Sequence, residues 1–146
     1  TSRGLGDVYK RQLQHPDRTS FARHGDQLDV VGLAAPQLSL VEMREAASYC
    51  AGRRVKTPLI VCTSPQVYGD ATRMGFVTTI EDAGGTVLQG TCFYNQYARE
   101  IGEANGWVNL LSNSAKIVNI LGGYGYRPAL ASMQDCIEAA IEGKMT

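Results

Sequence analysis

The sequence predicts an α/β domain: a mostly parallel sheet of four to five strands with helices on both faces, in three αβα layers. Three observations carry this. Short apolar, β-branched runs recur along the chain, the pattern of strands buried on both sides. Between them lie segments with apolar residues at helical spacing, opened by Ser and closed by Gly. Strands joined through helices must run parallel, with right-handed crossovers.

The elements follow in order. Leu28-Asp29-Val30-Val31-Gly32-Leu33 reads as a buried strand ending at Pro36. Ser39 opens a helix, with Glu42 completing a capping box; Leu40, Met43, Ala47 and Cys50 form its apolar stripe and Gly52 stops it. Pro58 to Thr63 is a second strand. Ser64-Pro65 then places Ser at an N-cap and Pro at the first helical position, in a helix that runs toward Met74 and stops at Gly75. A short helix, Val77 to Ala83, leads through Gly84-Gly85 into a strand, Thr86 to Gln89. Val108 to Leu111 is a fourth strand, Asn113 to Leu121 a helix stopped by Gly122-Gly123, and Arg127 to Ala131 a weak fifth strand. Ser132 caps a last helix, Met133 to Glu142, closed by Gly143.

Composition narrows the function. The 146 residues are 44% hydrophobic, with 14 basic and 14 acidic side chains. That is enough to bury a core and excludes global disorder. Scattered, balanced charge argues against a nucleic-acid partner held by phosphate neutralisation. No apolar run approaches the roughly 20 residues that span a bilayer, so no membrane partner is expected. Four cysteines are too few and too spread for a disulfide scaffold, and none shows the C-x-x-C spacing of a zinc ribbon. With no apolar segment of a secretory signal near the start, the expected location is cytoplasmic, with reduced thiols.

The chain does not begin with Met, and the expectation is a piece of a longer protein. Residues 1–12, TSRGLGDVYKRQ, have neither helical nor strand periodicity. The string GDVYKRQ resembles a translated sequencing-adapter scar and is set aside from fold reasoning. Residues 13–26, with His15, Asp17, His24 and Gly25, read as a linker, and 27–146 as the domain.

In parallel α/β sheets ligands sit outside the carboxyl ends of the strands. Those ends carry Ala34-Ala35-Pro36-Gln37, Cys62-Thr63-Ser64, Gly90-Thr91-Cys92 and Ser112-Asn113-Ser114. Thr63 with Ser64, and Asn113 with Ser114, stand where helices begin, and free N–H groups there favour an anion. Ser and Asn are also the best N-caps, the commoner reason for finding them there. Lys116, one turn into its helix, opposes the dipole; it suits a carboxylate or phosphate, or equally a solvated charge. Cys50 lies on an apolar stripe and reads as core. Cys136 fits the inward stripe of the last helix, although a thiolate there is also favoured by the dipole. Cys62 ends a strand. Cys92 stands apart, in a loop after Gly90-Thr91, and is the best placed for a metal or cluster ligand, or a nucleophile.

These segments, in this order, resemble the aconitase X family of dehydratases, which includes cis-3-hydroxy-L-proline dehydratase and mevalonate 5-phosphate dehydratase. The matching stretches are Asp29-Val30-Val31-Gly32 with Pro36 and Ser39-Leu40, then Thr63-Ser64, Thr91-Cys92, Ser112-Asn113-Ser114-Ala115-Lys116, and Met133 to Ala140. The likeness spans about residues 27–143 and corresponds to the C-terminal end of the family's large subunit or large domain. It implies a hydro-lyase acting on a small hydroxy acid, working with a small subunit or small swivelling domain. It also implies an iron–sulfur cluster or iron held by cysteines from separate parts of the chain. By this resemblance Cys92 maps onto a metal ligand. Thr63, Ser64, Ser112, Asn113, Ser114 and Lys116 map onto the substrate or cluster surroundings. No catalytic base is identified. Two departures stand out: Ala35-Pro36-Gln37 occupies the place where family members often carry Cys-Pro-His, and Gly90 precedes Thr91-Cys92 where many have Asp. The cluster is then of another type, completed by Cys62 or Cys136, or absent.

Two other readings remain open at this point. One is a non-catalytic α/β domain that binds a small anion at the helix N-termini of Ser64 and Asn113. The other is a cysteine-nucleophile enzyme built on Cys92, which needs a base, whereas both histidines fall before residue 25.

Overall fold

The apolar runs assemble into one sheet. The structure is a computed structural model that describes residues 25–93 and 97–145. Its strands are β1 (Val30–Leu38), β2 (Leu59–Thr63), β3 (Thr86–Gln89), β4 (Asn109–Ser112) and β5 (Arg127–Leu130). Across the sheet they lie in the order β3-β2-β1-β4-β5, every neighbouring pair parallel. The helices are α1 (Leu40–Cys50), α2 (Pro65–Arg73), α3 (Phe76–Asp82), α4 (Ala98–Asn105), α5 (Ala115–Leu121) and α6 (Met133–Glu142).

Strand alternation divides the core into two layers. Val31, Leu33, Leu59, Val61, Val87 and Leu111 face α1, α2, α3 and α6, where Met43, Cys50, Ile80 and Ile137 are buried. Val30, Cys62 and Leu110 face the opposite side, against Phe93, Ala98 of α4, Ile117 and Leu121 of α5, and Tyr126. This is the expected three-layer αβα arrangement.

The capping signals act as read. Ser39 and Glu42 form the capping box of α1, Ser64 caps α2 with Pro65 at its start, and Ser132 caps α6. Several boundaries shift by a residue, and three larger differences stand out. β1 does not stop at Pro36 but continues to Leu38, and its register against β2 shifts between Leu33 and Leu38. A proline is tolerated in a central strand where such an irregularity relieves the ladder. The helix expected to start at Asn113 starts at Ala115, with Ser114 as its cap. α4 was not expected. It is entered through Tyr97 in the left-handed region, φ 55°, with no side-chain cap, and buries only Ala98 and Gly102, so it shows no apolar stripe to read.

The expected scar at 1–12, most of the linker, and His15 and His24 lie outside the described residues. Gly25 and Asp26, read as linker, are tied to the other terminus. The Gly25 N–H donates to the Met145 carbonyl at 2.8 Å and the Met145 N–H to the Asp26 carbonyl at 2.9 Å, beside a bridge between Gln27 and Lys144.

Candidate functional site

The chain runs outward from β1 through β2 to β3, then returns to place β4 on the other side of β1. The carboxyl ends of β1 and β4 therefore flank the point where strand order reverses, the usual ligand crevice of such sheets. Gly32 of β1 is registered with Ser112 of β4. The fully buried Ser112 hydroxyl donates to the Gly32 carbonyl at 2.7 Å and accepts the Ser114 N–H at 3.1 Å. On the other flank, the Thr63 hydroxyl donates to the Leu38 carbonyl at 2.7 Å, holding the ends of β1 and β2 together.

The predicted site residues thus divide by what their polar atoms do. Thr63 and Ser112 brace strand ends. Ser64 and Ser114 accept the N–H groups of Val67 and Ile117 as helix caps. Asn113, between Ser112 and Ser114, has a buried Oδ1 with no hydrogen-bond partner among the described residues. An unsatisfied buried acceptor is costly, which marks this atom as the one in the segment that calls for an outside donor. Lys116 is exposed on the first turn of α5.

The cysteines separate by layer. Gly90, at φ +74°, turns the chain after β3 and donates its N–H to the Thr63 carbonyl at 2.9 Å. The loop that follows carries Phe93 to β1. Phe93 lies beside Gly32: a Cβ there would stand 3.8 Å from Phe93 Cγ, an ordinary van der Waals contact. Cys62 shares a buried cluster with Phe93, and Cys92, immediately before Phe93, is buried as well. Burial, and after it the charge of Cys92, push the Cys62 thiol up to about 12. Cys136 lies in the opposite layer, with Sγ 3.9 Å from the Ala131 carbonyl; burial, then the charge of Asp135, pushes its thiol well above the ordinary range. Cys50 is in that same layer, its thiol raised by burial to about 11 against a lowering by Arg53.

Two features went unread in the sequence. One is the contact of the Phe93 ring with Gly32 of β1, which no local pattern marks. The other is an apolar concavity of about 410 Å³ toward the N-terminal ends of β2 and β3, on whose wall lie Ile60, Leu88 and Trp107. It is at the end of the sheet opposite the predicted site residues.

Among the described residues, no three His, Cys, Asp or Glu side chains gather in a group that could hold a metal ion. The donor chemistry that is present is two buried thiols at neighbouring strand ends. Iron–sulfur clusters are typically held by four thiolates, so these residues fit as part of a ligand set and not as a whole one.

Residues 28–142 match the family described as aconitase X third domain. The chain belongs to the aconitase X family. It is 33% identical over 106 residues to the phosphomevalonate dehydratase large subunit of Methanothermobacter thermautotrophicus, covering 73% of this chain and 26% of that protein. It is 30% identical over 121 residues to the cis-3-hydroxy-L-proline dehydratase of Pseudomonas aeruginosa, covering 81% of this chain and 20% of that one. The crystal structure of Thermococcus kodakaraensis aconitase X in its holo form superposes with a TM-score of 0.67 at 23% identity, over 84% of this chain and 31% of that one. The aconitase X third domain therefore has the fold described above, and the chain spans less than a third of the length of each of these relatives. No helix among the described residues is long and apolar enough to cross a membrane.

Proposed function

We propose that the protein to which this domain belongs is a cytoplasmic hydro-lyase that dehydrates a small hydroxy acid, of the cis-3-hydroxy-L-proline or mevalonate 5-phosphate type. The observation that carries this reading is the match of residues 28–142 to the aconitase X third domain, among relatives named as dehydratases of those two substrates. Ser112, Asn113 and Ser114, at the end of β4, lie at the reversal point of the sheet, where α/β folds take their ligands.

Cys92 is this chain's ligand to an iron–sulfur cluster or iron; Cys62 and Cys136 are the other candidate thiols. When bound, the iron acts as a Lewis acid toward the departing hydroxyl. The rest of the chain's task is binding and positioning. Thr63, Ser64, Ser112, Asn113, Ser114 and Lys116 form its share of the substrate pocket. Lys116 supplies positive charge for the substrate carboxylate or phosphate. Asn113 Oδ1, buried without a donor among the described residues, accepts a hydrogen bond from the bound substrate. Thr63 and Ser112 hold β1 between its neighbours so that these groups keep their spacing. A small subunit or small swivelling domain closes the site.

The test uses the complete reading frame, expressed with its small subunit and purified without oxygen. The expected protein is brown, contains iron and eliminates water from one of the two substrates. Cys92→Ser removes most of the iron, and Lys116→Ala raises KM. The 146-residue chain alone is inactive, because a site built between domains does not form from one of them. Failure to turn over either substrate overturns the substrate reading. A colourless preparation with full dehydratase activity overturns the iron reading.

A further inference from the structure

Parallel sheets are normally covered on both faces. Here α1, α2, α3 and α6 cover one face. On the other, α5 lies over β1, β4 and β5, and α4 adds only Ala98 to the buried cluster. Strand alternation turns Ile60 and Cys62 of β2 and Thr86 and Leu88 of β3 toward this second face, where Ile60 is registered with Thr86 and Cys62 with Leu88. Cys62 is buried in the cluster with Phe93, but Ile60 and Leu88 are half-buried and Thr86 is exposed. Together with half-buried Trp107, the chain's single tryptophan, Ile60, Thr86 and Leu88 line the apolar concavity of about 410 Å³. Among the described residues, β3 is also the last strand on this side of the sheet. Its residues, Thr86-Val87-Leu88-Gln89, carry neither charge nor proline, two usual protections of an exposed edge, whereas β5 at the other edge carries Arg127 and Pro128.

We propose that the β2–β3 half of this face is the seat of a preceding domain of the same polypeptide, which packs aliphatic or aromatic side chains against Ile60, Leu88 and Trp107. Two observations choose that occupant. The chain matches a third domain and spans less than a third of each of the relatives above, so the longer protein has other domains to place. The described chain also enters at this wall. The Thr57 hydroxyl donates to the Leu28 carbonyl at 3.4 Å and the Val31 N–H donates to the Pro58 carbonyl at 2.9 Å, while Thr57 and Pro58 line the concavity. Polypeptide arriving at Gly25 therefore meets the domain at the end of the sheet where the open half-face lies. The inference rests on the place of this domain in a longer aconitase X protein and is independent of iron and of either substrate.

The test is hydroxyl-radical footprinting of the complete large subunit, without any small subunit, beside the 146-residue chain, read by mass spectrometry at Trp107 and Leu88. Both residues are expected to be modified in the 146-residue chain and several-fold less in the complete subunit. In the complete subunit, Leu88→Glu and the milder Leu88→Ala restore modification of Trp107 and lower the Tm, by more than they lower that of the 146-residue chain. These variants are read in the complete subunit, so they decide the matter whether or not the shorter chain folds. Equal modification of Trp107 in the two proteins overturns the proposal and leaves the face open to solvent. A complete subunit in which neither Leu88 variant changes the footprint of Trp107 overturns it as well. Protection that appears only when the small subunit is added assigns the face to that partner instead. Protection already present in the 146-residue chain and lost on dilution, with a dimer in sedimentation velocity, assigns it to a second copy; either result overturns the proposal. No readout uses activity or iron, so failure of the dehydratase reading and failure of this one are separate outcomes.

Discussion

The N–H of Gly90 donates to the carbonyl of Thr63 at 2.9 Å, and this bond sets the direction of the loop that carries Cys92. The bond continues the β2–β3 ladder by one residue, and the chain turns away after it because Gly90 takes φ +74°, a region that costs an L-residue about 1–2 kcal/mol. There is space for a side chain, since a Cβ at this position would have Pro65 Cγ as its nearest neighbour, at 3.6 Å. The expected effect of Gly90→Ala is therefore conformational and not steric. Urea unfolding should show a loss of about 1 kcal/mol, with an unchanged m-value; an unchanged midpoint contradicts it.

Gly102 in α4 is sterically required. A Cβ there would stand 2.7 Å from the Tyr126 hydroxyl and 2.9 Å from Cζ. That hydroxyl donates to the Ala98 carbonyl at 2.6 Å, and the ring meets Phe93 edge-on at 6.1 Å. Gly102→Ala is expected to cost about 1–3 kcal/mol by overpacking. Tyr126→Phe alone should cost about 1 kcal/mol for the lost hydrogen bond. The double variant should recover only part of the Gly102→Ala loss, because the ring carbon stays too close. Full additivity in a thermal double-mutant cycle rules out the contact.

Ser112 serves both β1 and β4. Replacing it with Ala leaves the Gly32 carbonyl and the Ser114 N–H without their buried partner. The expected destabilisation is about 1–3 kcal/mol, measured by denaturant unfolding. Ser114→Gly, which removes only a helix cap, should cost a few tenths of a kcal/mol. Equal losses in the two variants contradict the bracing role.

Arg53 of the loop after α1 and Glu138 of α6 form a two-pronged ion pair, with N–O distances of 2.5 Å and 2.7 Å. The Arg53 hydrogen bond holds the Glu138 carboxyl below its ordinary value of 4.5. A depressed folded-state pKa stabilises above the unfolded-state value and is lost as pH falls through the folded one. The Tm difference between wild type and Glu138→Gln should therefore be small and positive at neutral pH, since both groups are about a third exposed. It should vanish as pH drops below the glutamate range. A difference that grows on acidification contradicts the pairing.

Much of the fold was legible because its signals are local. Ser39 with Glu42, Ser64 with Pro65, and Ser132 each declare a helix start within a few residues, and the runs at Val30, Leu59 and Leu110 are apolar on both faces. α4 was not legible, since Tyr97 offers no cap and Ala98 and Gly102 bury too little to make a stripe. The extension of β1 through Pro36 depends on a register shift against β2, which is a property of two strands and not of one.

The candidate site divides in the same way. The segment Ser112-Asn113-Ser114 and the unusual position of Cys92 could be read from residue type and strand-end placement. That Ser112 braces Gly32, that Asn113 Oδ1 is buried without a donor among the described residues, and that Cys136 lies in the layer away from Cys62 could not.

The sequence by itself determined the α/β class, the run of strands and caps, and the strand ends as the place to look, because hydrophobic period and capping are short-range properties. Only the tertiary structure decided the strand order β3-β2-β1-β4-β5 and the layer to which Cys50, Cys62 and Cys136 each belong. Those depend on hydrogen bonds and side-chain contacts between residues far apart in the chain, such as Gly90 with Thr63 and Phe93 with Gly32, which no local pattern encodes.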